Sequence, residues 1–326
     1  MQKLKVFLFA LLMCISLGFG NDKQVDFSYN EKIYGAPQIE AIKGWGIDSP
    51  TSGVVSGSVL QMQGVGIELA DNGEKISGIR GWRGLGEGFT ILQNKFFAPI
   101  FFAILILVPL AFFGHNRIVG VKRFDHHGRK FKVFSKYNII VHWGAAIPFV
   151  LICITGLMMM FGDKLGGGMP IRLAKNLHFL ATWIFLIFGI LMFLMWVKPA
   201  MFKLYDIGWL KIMGGYLSNE KREVPAGKFN AGQKMWFWLC TLGGFAMAIT
   251  GLIMHYFYGD INTLRLMAII HNVLGFGVLA MLITHIYMAV FAIEGAIEAI
   301  LNGHMAEEEL ALMHSYYYKE LIGEQK

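Results

Sequence analysis

Five long apolar stretches follow residue 95, and they constrain the fold more than any other feature of the sequence. They occupy residues 97–114, 138–161, 175–197, 234–257 and 266–294. At about 1.5 Å per helical residue, each can cross a hydrocarbon core about 30 Å thick. The chain is 55% hydrophobic and only 16% charged, a balance that ordinary soluble domains do not show. The sequence therefore predicts an all-α membrane protein with five transmembrane helices.

The basic residues indicate how the helices are oriented. The net charge is +7, and Lys and Arg cluster in two of the connections between the apolar stretches. The loop after the first stretch and the connection 198–234 hold Arg117, Lys122, Arg123, Arg129, Lys130, Lys132, Lys136, Lys198, Lys203, Lys211, Lys221, Arg222, Lys228 and Lys234. The segments 162–173 and 255–264 are poor in basic residues. Cytoplasmic loops of inner-membrane proteins carry this excess, so we expect both basic connections to be cytoplasmic and do not expect nucleic-acid binding.

The N-terminus resembles a secretory signal. Lys3 and Lys5 precede a short apolar run, which ends at the small residues Gly18 and Gly20. We expect residues 1–20 to be a signal peptide, with a retained anchor helix as the alternative. Residues 21–95 would then be a periplasmic segment with little core, residues 96–115 the first transmembrane helix, and residues 306–326 a cytoplasmic tail.

The cysteines limit which cofactors the chain can hold. Beyond the predicted signal peptide, Cys153 and Cys240 remain, and both lie in apolar stretches. They cannot ligate an Fe–S cluster alone, so any such cluster must be on a partner chain. The sequence has no Cys-x-x-Cys-His motif, which excludes covalent c-type haem. Any haem would be held by histidines.

Four histidines, His142, His178, His271 and His285, lie inside the apolar stretches, where ionisable groups are costly and usually functional. His271 and His285 are 14 residues apart, which is nearly four helical turns, so both should face the same side of one helix about 21 Å apart along its axis. The remaining histidines lie at span ends, in the basic loop or in the tail, where we expect solvated rings: His115, His126, His127, His255, His304 and His314.

The four histidines form two pairs when they are grouped by their predicted depth in the membrane. His142 and His285 both lie toward the cytoplasmic side of their spans, whereas His178 and His271 lie toward the outer side. Two imidazoles at one depth can hold a haem iron from both faces and leave no open position, which suits electron transfer. The alternative for each ring is a hydrogen bond to a neighbouring helix. Gly156 lies 14 residues beyond His142, where a missing side chain would admit a porphyrin, although helix packing explains it equally well.

Several motifs resemble the gamma subunit of formate dehydrogenase-N. They are the run from Lys228 to Met235 followed by Phe237-Trp238, the run from His285 to Ala289 followed by Glu294-Gly295, and the pairs His142-Trp143 and Leu177-His178. The resemblance covers about residues 136–305. It implies a four-helix di-haem cytochrome b domain in an inner-membrane respiratory complex, with two b haems held by His142 with His285 and by His178 with His271.

The resemblance also implies a quinone and two partners. Asn230, Gly232 and Gln233 form a turn that matches the family's menaquinone site on the cytoplasmic side. Read alone, this turn is an ordinary helix start with Asn230 as the N-cap. The implied partners are an Fe–S beta subunit and a molybdenum or tungsten alpha subunit that oxidises formate. Electrons would cross the beta subunit and both haems to menaquinone in anaerobic respiration.

Two alternative functions remain at this point. One is the cytochrome b subunit of a membrane-bound hydrogenase or of another molybdoenzyme. The other, of a different class, is a haem-free membrane anchor or transporter, although the apolar stretches lack the paired broken helices and buried carboxylates of many transporters.

Overall fold

The computed structural model describes residues 68–69, 75–76, 84–256 and 261–323. The predicted signal peptide and most of the predicted periplasmic segment lie outside these residues. Within them, the chain is mostly helical. The elements in chain order are β1 (Glu68–Leu69), β2 (Lys75–Ile76), α1 (Gly84–Ile91), α2 (Ala98–Ile118), β3 (Lys130–Lys132), α3 (Lys136–Met160), α4 (Gly168–Trp196), α5 (Tyr205–Lys211), α6 (Ala231–Trp238), α7 (Gly244–Tyr256), α8 (Ile261–Tyr287), α9 (Glu298–Leu301), β4 (His304–Ala306), α10 (Glu307–Met313) and α11 (Ser315–Gly323).

Five helical spans in the described part of the chain are long and apolar enough to cross a membrane. They are Gly88–Ile118, Lys136–Met160, Gly168–Trp196, Ala231–Tyr256 and Asn262–Ala292. The predicted all-α membrane class is therefore confirmed. The helix that contains the predicted first span, residues 96–115, is longer than that span and begins before it, with polar residues such as Gln93 and Lys95 in its first turns.

Three π-helical segments interrupt these spans, at Leu92–Phe97, Leu239–Gly243 and Met288–Ala292. The first joins α1 to α2, the second joins α6 to α7, and the third follows α8. Each adds a residue to a helical turn, and such π segments often occur at functional sites. The sequence pattern did not predict them.

The described chain divides into two compact units. The first comprises the described parts of residues 1–101, 151–180 and 249–273, and the second comprises residues 102–150, 181–248 and 274–323. Many large apolar side chains on the spans are exposed, as lipid-facing residues would be. Examples are Leu107 at 61%, Ile187 at 61% and Leu194 at 66% exposure.

The C-terminal segment is folded onto the second unit, whereas the sequence predicted only a tail. Strands β3 and β4 pair antiparallel, with Lys130 opposite Ala306. Leu310 and Met313 of α10 are buried, and Leu310 joins a hydrophobic cluster with Phe131 of β3. This packing brings the acidic residues of α10 next to the helices that carry the candidate site.

Candidate functional site

The first unit brings His178 of α4 and His271 of α8 together. Their ring centroids are 6.3 Å apart and their ring planes are inclined by 52°. Two imidazoles on opposite sides of one metal ion, each with a metal–nitrogen bond of about 2 Å, have centroids roughly 6 Å apart. The spacing of this pair therefore fits a single metal ion held between the two rings.

Two threonines contact these rings at equivalent atoms. Thr155 Oγ1 lies 3.1 Å from His178 Nδ1, and Thr250 Oγ1 lies 3.0 Å from His271 Nδ1. The Thr155 hydroxyl also donates to the Leu151 carbonyl at 2.7 Å, so its oxygen accepts a hydrogen bond from the ring. A histidine that binds metal through one nitrogen usually donates from the other to such a partner. These contacts would leave Nε2 of each ring as the metal ligand.

Both threonines belong to a repeated tetrapeptide that sequence reasoning missed. Ile-Thr-Gly-Leu occurs at residues 154–157 in α3 and again at residues 249–252 in α7. In each copy the glycine lies beside the histidine: a Cβ on Gly156 would be 3.4 Å from His178 Cε1, and one on Gly251 would be 3.6 Å from His271 Cε1. A search for internal repeats would have found this signal. Gly156 thus lies against His178, and the predicted space for a porphyrin beside it stays a prediction.

The second unit brings His142 of α3 and His285 of α8 together. Their ring centroids are 6.5 Å apart, again inclined by 52°. The indole of Trp236 stacks on the His285 ring with centroids 5.2 Å apart. Among the described residues, His142 Nδ1 is buried without a hydrogen-bond partner, and an unpaired buried nitrogen costs about 1–3 kcal/mol. Both the spacing and this unpaired nitrogen fit a site whose ligand is a metal-containing group.

The described residues contain no group of three or more His, Cys, Asp or Glu side chains that could hold a metal ion. Each histidine pair, by its ring spacing, supplies two ligands, which suits a haem iron whose porphyrin supplies four nitrogens. The predicted ligand role of all four histidines stays a prediction, but the structure does bring together the rings that the depth argument paired.

A cavity of about 680 Å³ lies within the second unit. This volume is within the usual range for small-molecule and cofactor sites. Its wall includes both histidines of the second pair and all three residues of the predicted quinone turn: His142, His285, Asn230, Gly232 and Gln233. The structure thus brings the two predicted sites of this unit to one cavity.

The predicted quinone turn, Asn230 to Gln233, is a complete capping box at the start of α6. The backbone N–H of Gln233 donates to Asn230 Oδ1 and the backbone N–H of Asn230 donates to Gln233 Oε1, both at 2.9 Å. The Asn230 side chain also hydrogen-bonds the hydroxyl of partly buried Tyr216. Gln233 is three residues before Trp236, so it lies on the face of α6 that stacks against His285. The capping box does not use the Gln233 amide nitrogen, which stays available as a donor.

The packing around this turn explains why position 232 is a glycine. A Cβ at this position would be 3.1 Å from the indole of Trp209 and 3.3 Å from Asn230 Oδ1. The glycine lets α5 pack closely against the start of α6. The predicted close approach of a quinone to Gly232 stays a prediction.

Comparisons with known proteins place the chain in a family. The model of prokaryotic cytochrome b561 matches residues 133–303. The chain belongs to the prokaryotic cytochrome b561 family. It is 32% identical to the formate dehydrogenase cytochrome b556 subunit of Haemophilus influenzae over 195 residues, which cover 56% of this chain and 80% of that protein.

Two Escherichia coli K12 proteins are similar as well. One is the nitrate-inducible formate dehydrogenase cytochrome b556(Fdn) subunit, 28% identical over 55% of this chain and 86% of the relative. The other is the cytochrome b556(fdo) subunit, 28% identical over 56% of this chain and 89% of the relative. The resemblance to formate dehydrogenase cytochrome b subunits predicted from the sequence is confirmed, and haem b is the cofactor that this cytochrome family implies.

One basic residue that the charge pattern counted is buried in this cytochrome. Lys234 was counted among the lysines of a cytoplasmic connection, but its side chain is fully buried in α6. Its Nζ donates to both carboxylate oxygens of Asp206, at 3.0 and 2.8 Å, and Asp206 is 3% exposed. It also lies 4.8 Å from the ring centroid of Tyr205. The pair fixes α5 to α6 beside the quinone turn.

Two of the histidines that were expected to be solvated, His314 and His115, are buried or partly buried in this cytochrome. His314 is only 4% exposed, and its Nδ1 is 2.8 Å from the Gly227 carbonyl oxygen. His115 is partly buried, with Nδ1 2.7 Å from the Tyr287 hydroxyl and Nε2 2.8 Å from the Tyr216 carbonyl oxygen. The expectation was wrong for these two because the C-terminal segment and the 212–229 connection cover them, which local sequence does not indicate.

Proposed function

We propose that the chain is the subunit of a membrane-bound formate dehydrogenase that carries electrons from an Fe–S partner through two b haems to menaquinone. The observation that carries the proposal is the presence of two histidine pairs, each with a centroid spacing that suits one iron. His178 and His271 would hold one haem, and His142 and His285 would hold the other. All four side chains come from spans α3, α4 and α8.

The protein's own contribution is to hold and tune these ligands. A bound b haem supplies one-electron transfer at an iron that two histidines leave without an open position. Thr155 and Thr250 orient the imidazoles of one pair by accepting their Nδ1–H bonds. Trp236 restricts the His285 ring by stacking on it. Each contact limits reorientation of a ligand when the charge at the iron changes.

The quinone would bind at the start of α6, in the cavity that His142 and His285 also line. The Gln233 amide nitrogen would donate to a quinone carbonyl, while Asn230 would hold the turn through its cap and its bond to Tyr216. The apolar cavity wall suits an isoprenoid quinone, which enters from the lipid. Menaquinone is the species that the family resemblance implies.

The Fe–S clusters and the formate-oxidising centre would belong to partner subunits. The described part of the chain contains two cysteines, Cys153 and Cys240, both on spans, which is too few for a cluster. The relatives are named as formate dehydrogenase subunits, which supports an Fe–S beta partner and a molybdenum or tungsten alpha partner. A hydrogenase or another molybdoenzyme as the partner is the alternative.

The proposed location is the bacterial inner membrane. Residues 1–20 would be a signal peptide and residues 21–95 a periplasmic segment. Residues 96–115 would form the additional first span and residues 136–305 the di-haem domain. Residues 306–326 would be cytoplasmic. The excess of lysine and arginine in two connections supports this orientation, and cysteine-scanning accessibility in intact cells would test it.

A redox titration of the purified complex, followed by optical and electron paramagnetic resonance spectra, tests the central proposal. We expect two low-spin b haems that formate reduces. His271→Ala and His285→Ala should each remove one haem, and they should remove different ones. His127→Ala, at an exposed position, is the control and should keep both.

Purified wild-type complex without b haem would overturn the proposal. So would retention of both haems in the His271→Ala and His285→Ala variants. Copurification of a subunit that oxidises hydrogen instead of formate would favour the alternative partner.

A further inference from the structure

Glu309 places a buried carboxyl group at the cavity of the second unit. It lies on α10, near the C-terminus, and is only 4% exposed. Among the described residues that line the cavity, it is the only Asp or Glu. Of the charged side chains that the structure describes, none forms an ion pair with it. A buried carboxyl group without a cationic partner is unusual and needs an explanation.

The surroundings of Glu309 connect it to the quinone turn. Its carboxylate acts electrostatically on the Tyr216 hydroxyl, and the same hydroxyl is hydrogen-bonded to the Asn230 side chain. Tyr216, Asn230 and Glu309 all line the cavity. Polar groups in this wall therefore extend from the C-terminal segment to the start of α6.

We propose that Glu309 is the proton donor for quinone reduction, an inference that rests on the function proposed above. Quinone reduction to quinol takes two electrons, which come from formate through the haems, and two protons. In the step assigned here, the O–H bond of the Glu309 carboxyl breaks and an O–H bond forms at a quinone oxygen. The resulting carboxylate takes up a proton from the aqueous side and can donate again.

The protonation behaviour of Glu309 suits this role. Burial, and secondarily the Glu298 carboxylate, raise its pKa to about 7. A general acid works best when its pKa lies near the working pH, because it is then protonated often and still releases its proton readily. The charged and titratable groups around it are Tyr216, Glu298 with its ion-pair partner Lys130, and the cavity residues Lys228, His314 and Tyr317.

The test compares quinol formation by the purified formate-oxidising complex, with a water-soluble menaquinone analogue, across the pH range 5.5–8.5. Wild type should lose activity as pH rises through about 7. Glu309→Gln should form quinol roughly 100-fold more slowly at pH 6 and should lose this pH dependence. Reduction of the haems by formate should be unchanged in the variant, because that step precedes proton delivery.

Two further variants keep the test decisive. Glu308→Gln is the matched control, since Glu308 is the adjacent residue on α10 and pairs with Lys221 at the surface. It should keep the wild-type pH profile. Glu309→Asp should retain a pH-dependent rate even if Glu309→Gln assembles poorly.

Redox-induced infrared difference spectra give a readout independent of turnover. A protonated carboxyl band that titrates near pH 7 should be present in wild type and absent in Glu309→Gln.

The possible failures can be told apart. A wild-type complex that contains the haems but does not reduce the quinone analogue would overturn the proposed function itself. If wild type reduces quinone while Glu309→Gln keeps the wild-type rate and pH profile, only the role of Glu309 is overturned. The same holds if the infrared band is unchanged in Glu309→Gln.

Discussion

Thr155 Oγ1 lies 3.1 Å from Nδ1 of His178, and Thr250 Oγ1 lies 3.0 Å from Nδ1 of His271. The two contacts are equivalent because each threonine precedes a glycine in the same repeated tetrapeptide. Together they restrain the orientation of both rings. Such symmetric support suits an iron that must keep the same ligand geometry in both oxidation states.

Replacing either threonine by valine should raise the midpoint potential of the haem that we propose His178 and His271 hold. The hydrogen bond from Nδ1–H to Oγ1 makes the imidazole a stronger donor and so favours the ferric state. One hydrogen bond contributes about 1 kcal/mol, which corresponds to roughly 40 mV for one electron. A redox titration of Thr155→Val and Thr250→Val measures the shift.

Thr241→Val is the control for this prediction. Thr241 is fully buried and its hydroxyl donates to the Phe237 carbonyl at 2.6 Å. This variant should leave the potential of that haem unchanged. An equal shift in all three variants would mean that burial of a hydroxyl, and not its bond to histidine, sets the potential.

Removing either partner of the buried Lys234–Asp206 pair should strongly destabilise the second unit. Removing one partner leaves an uncompensated buried charge, which costs about 3–5 kcal/mol. Lys234→Met and Asp206→Asn should each lower the thermal denaturation midpoint markedly in detergent. The double variant should recover part of the loss, because neither charge is then left unpaired.

Lys221→Met provides the comparison for the buried pair. Lys221 pairs with Glu308 at 2.6 Å, but its side chain is 53% exposed. Exposed pairs contribute about 0–1 kcal/mol, so this variant should denature close to wild type. Equal losses for Lys221→Met and Lys234→Met would contradict the burial argument.

The sequence was sufficient to predict the spans and to predict which histidine rings lie close together. Length and apolar composition determine a membrane helix almost locally, and the depth of a residue in its span follows from the span ends. Lys234 shows the limit of this reasoning. At a span end it resembles a topology-determining lysine, and only the packing of α5 reveals Asp206 as its partner. The same applies to His314, which is covered by residues far away in sequence.

The candidate site was predictable only where its chemistry was carried by unusual residues. Histidines inside apolar spans are conspicuous, whereas Thr155 and Thr250 are ordinary residues in a membrane helix. Glu309 was not predicted either, because three consecutive glutamates in an acidic C-terminal segment resemble a solvated run. It lies on α10 directly after β4, and the pairing of β4 with β3 is not evident from the sequence pattern.

The two interpretations of Asn230 can be separated by substitution. As a helix cap, Asn230 should be replaceable by serine, since the two residues cap equally well, whereas alanine should cost about 1 kcal/mol. As part of the quinone site, it should not tolerate serine, whose short hydroxyl cannot both cap α6 and bond the Tyr216 hydroxyl. We expect Asn230→Ser to keep the stability that the cap provides, to lose about 1 kcal/mol with the bond to Tyr216, and to raise the KM for a menaquinone analogue. An unchanged KM in Asn230→Ser would leave the residue only its capping role.

The stability of the protein should depend on pH through Glu309. Burial raises its pKa to about 7 in the folded state, above the ordinary value of 4.5. The protonated form therefore stabilises the fold. This contribution is complete below about pH 4.5 and is lost as pH rises through about 7. Glu309→Gln is neutral at every pH, so it avoids a loss of at most about 3 kcal/mol in alkaline solution.

Thermal denaturation of wild type and Glu309→Gln between pH 5 and pH 8.5 measures this difference. The denaturation midpoint of Glu309→Gln should exceed that of wild type least at pH 5. The difference between the two midpoints should grow with pH and should level off above pH 8. Glu308→Gln should differ from wild type by a constant amount over this range, because the hydrogen bond from Lys221 lowers the pKa of Glu308 below 4.5 and its stabilising effect is therefore complete at every pH above that value. Parallel pH profiles for wild type and Glu309→Gln would show that Glu309 is already charged near neutral pH, and the cavity wall would then carry a carboxylate with no proton to donate.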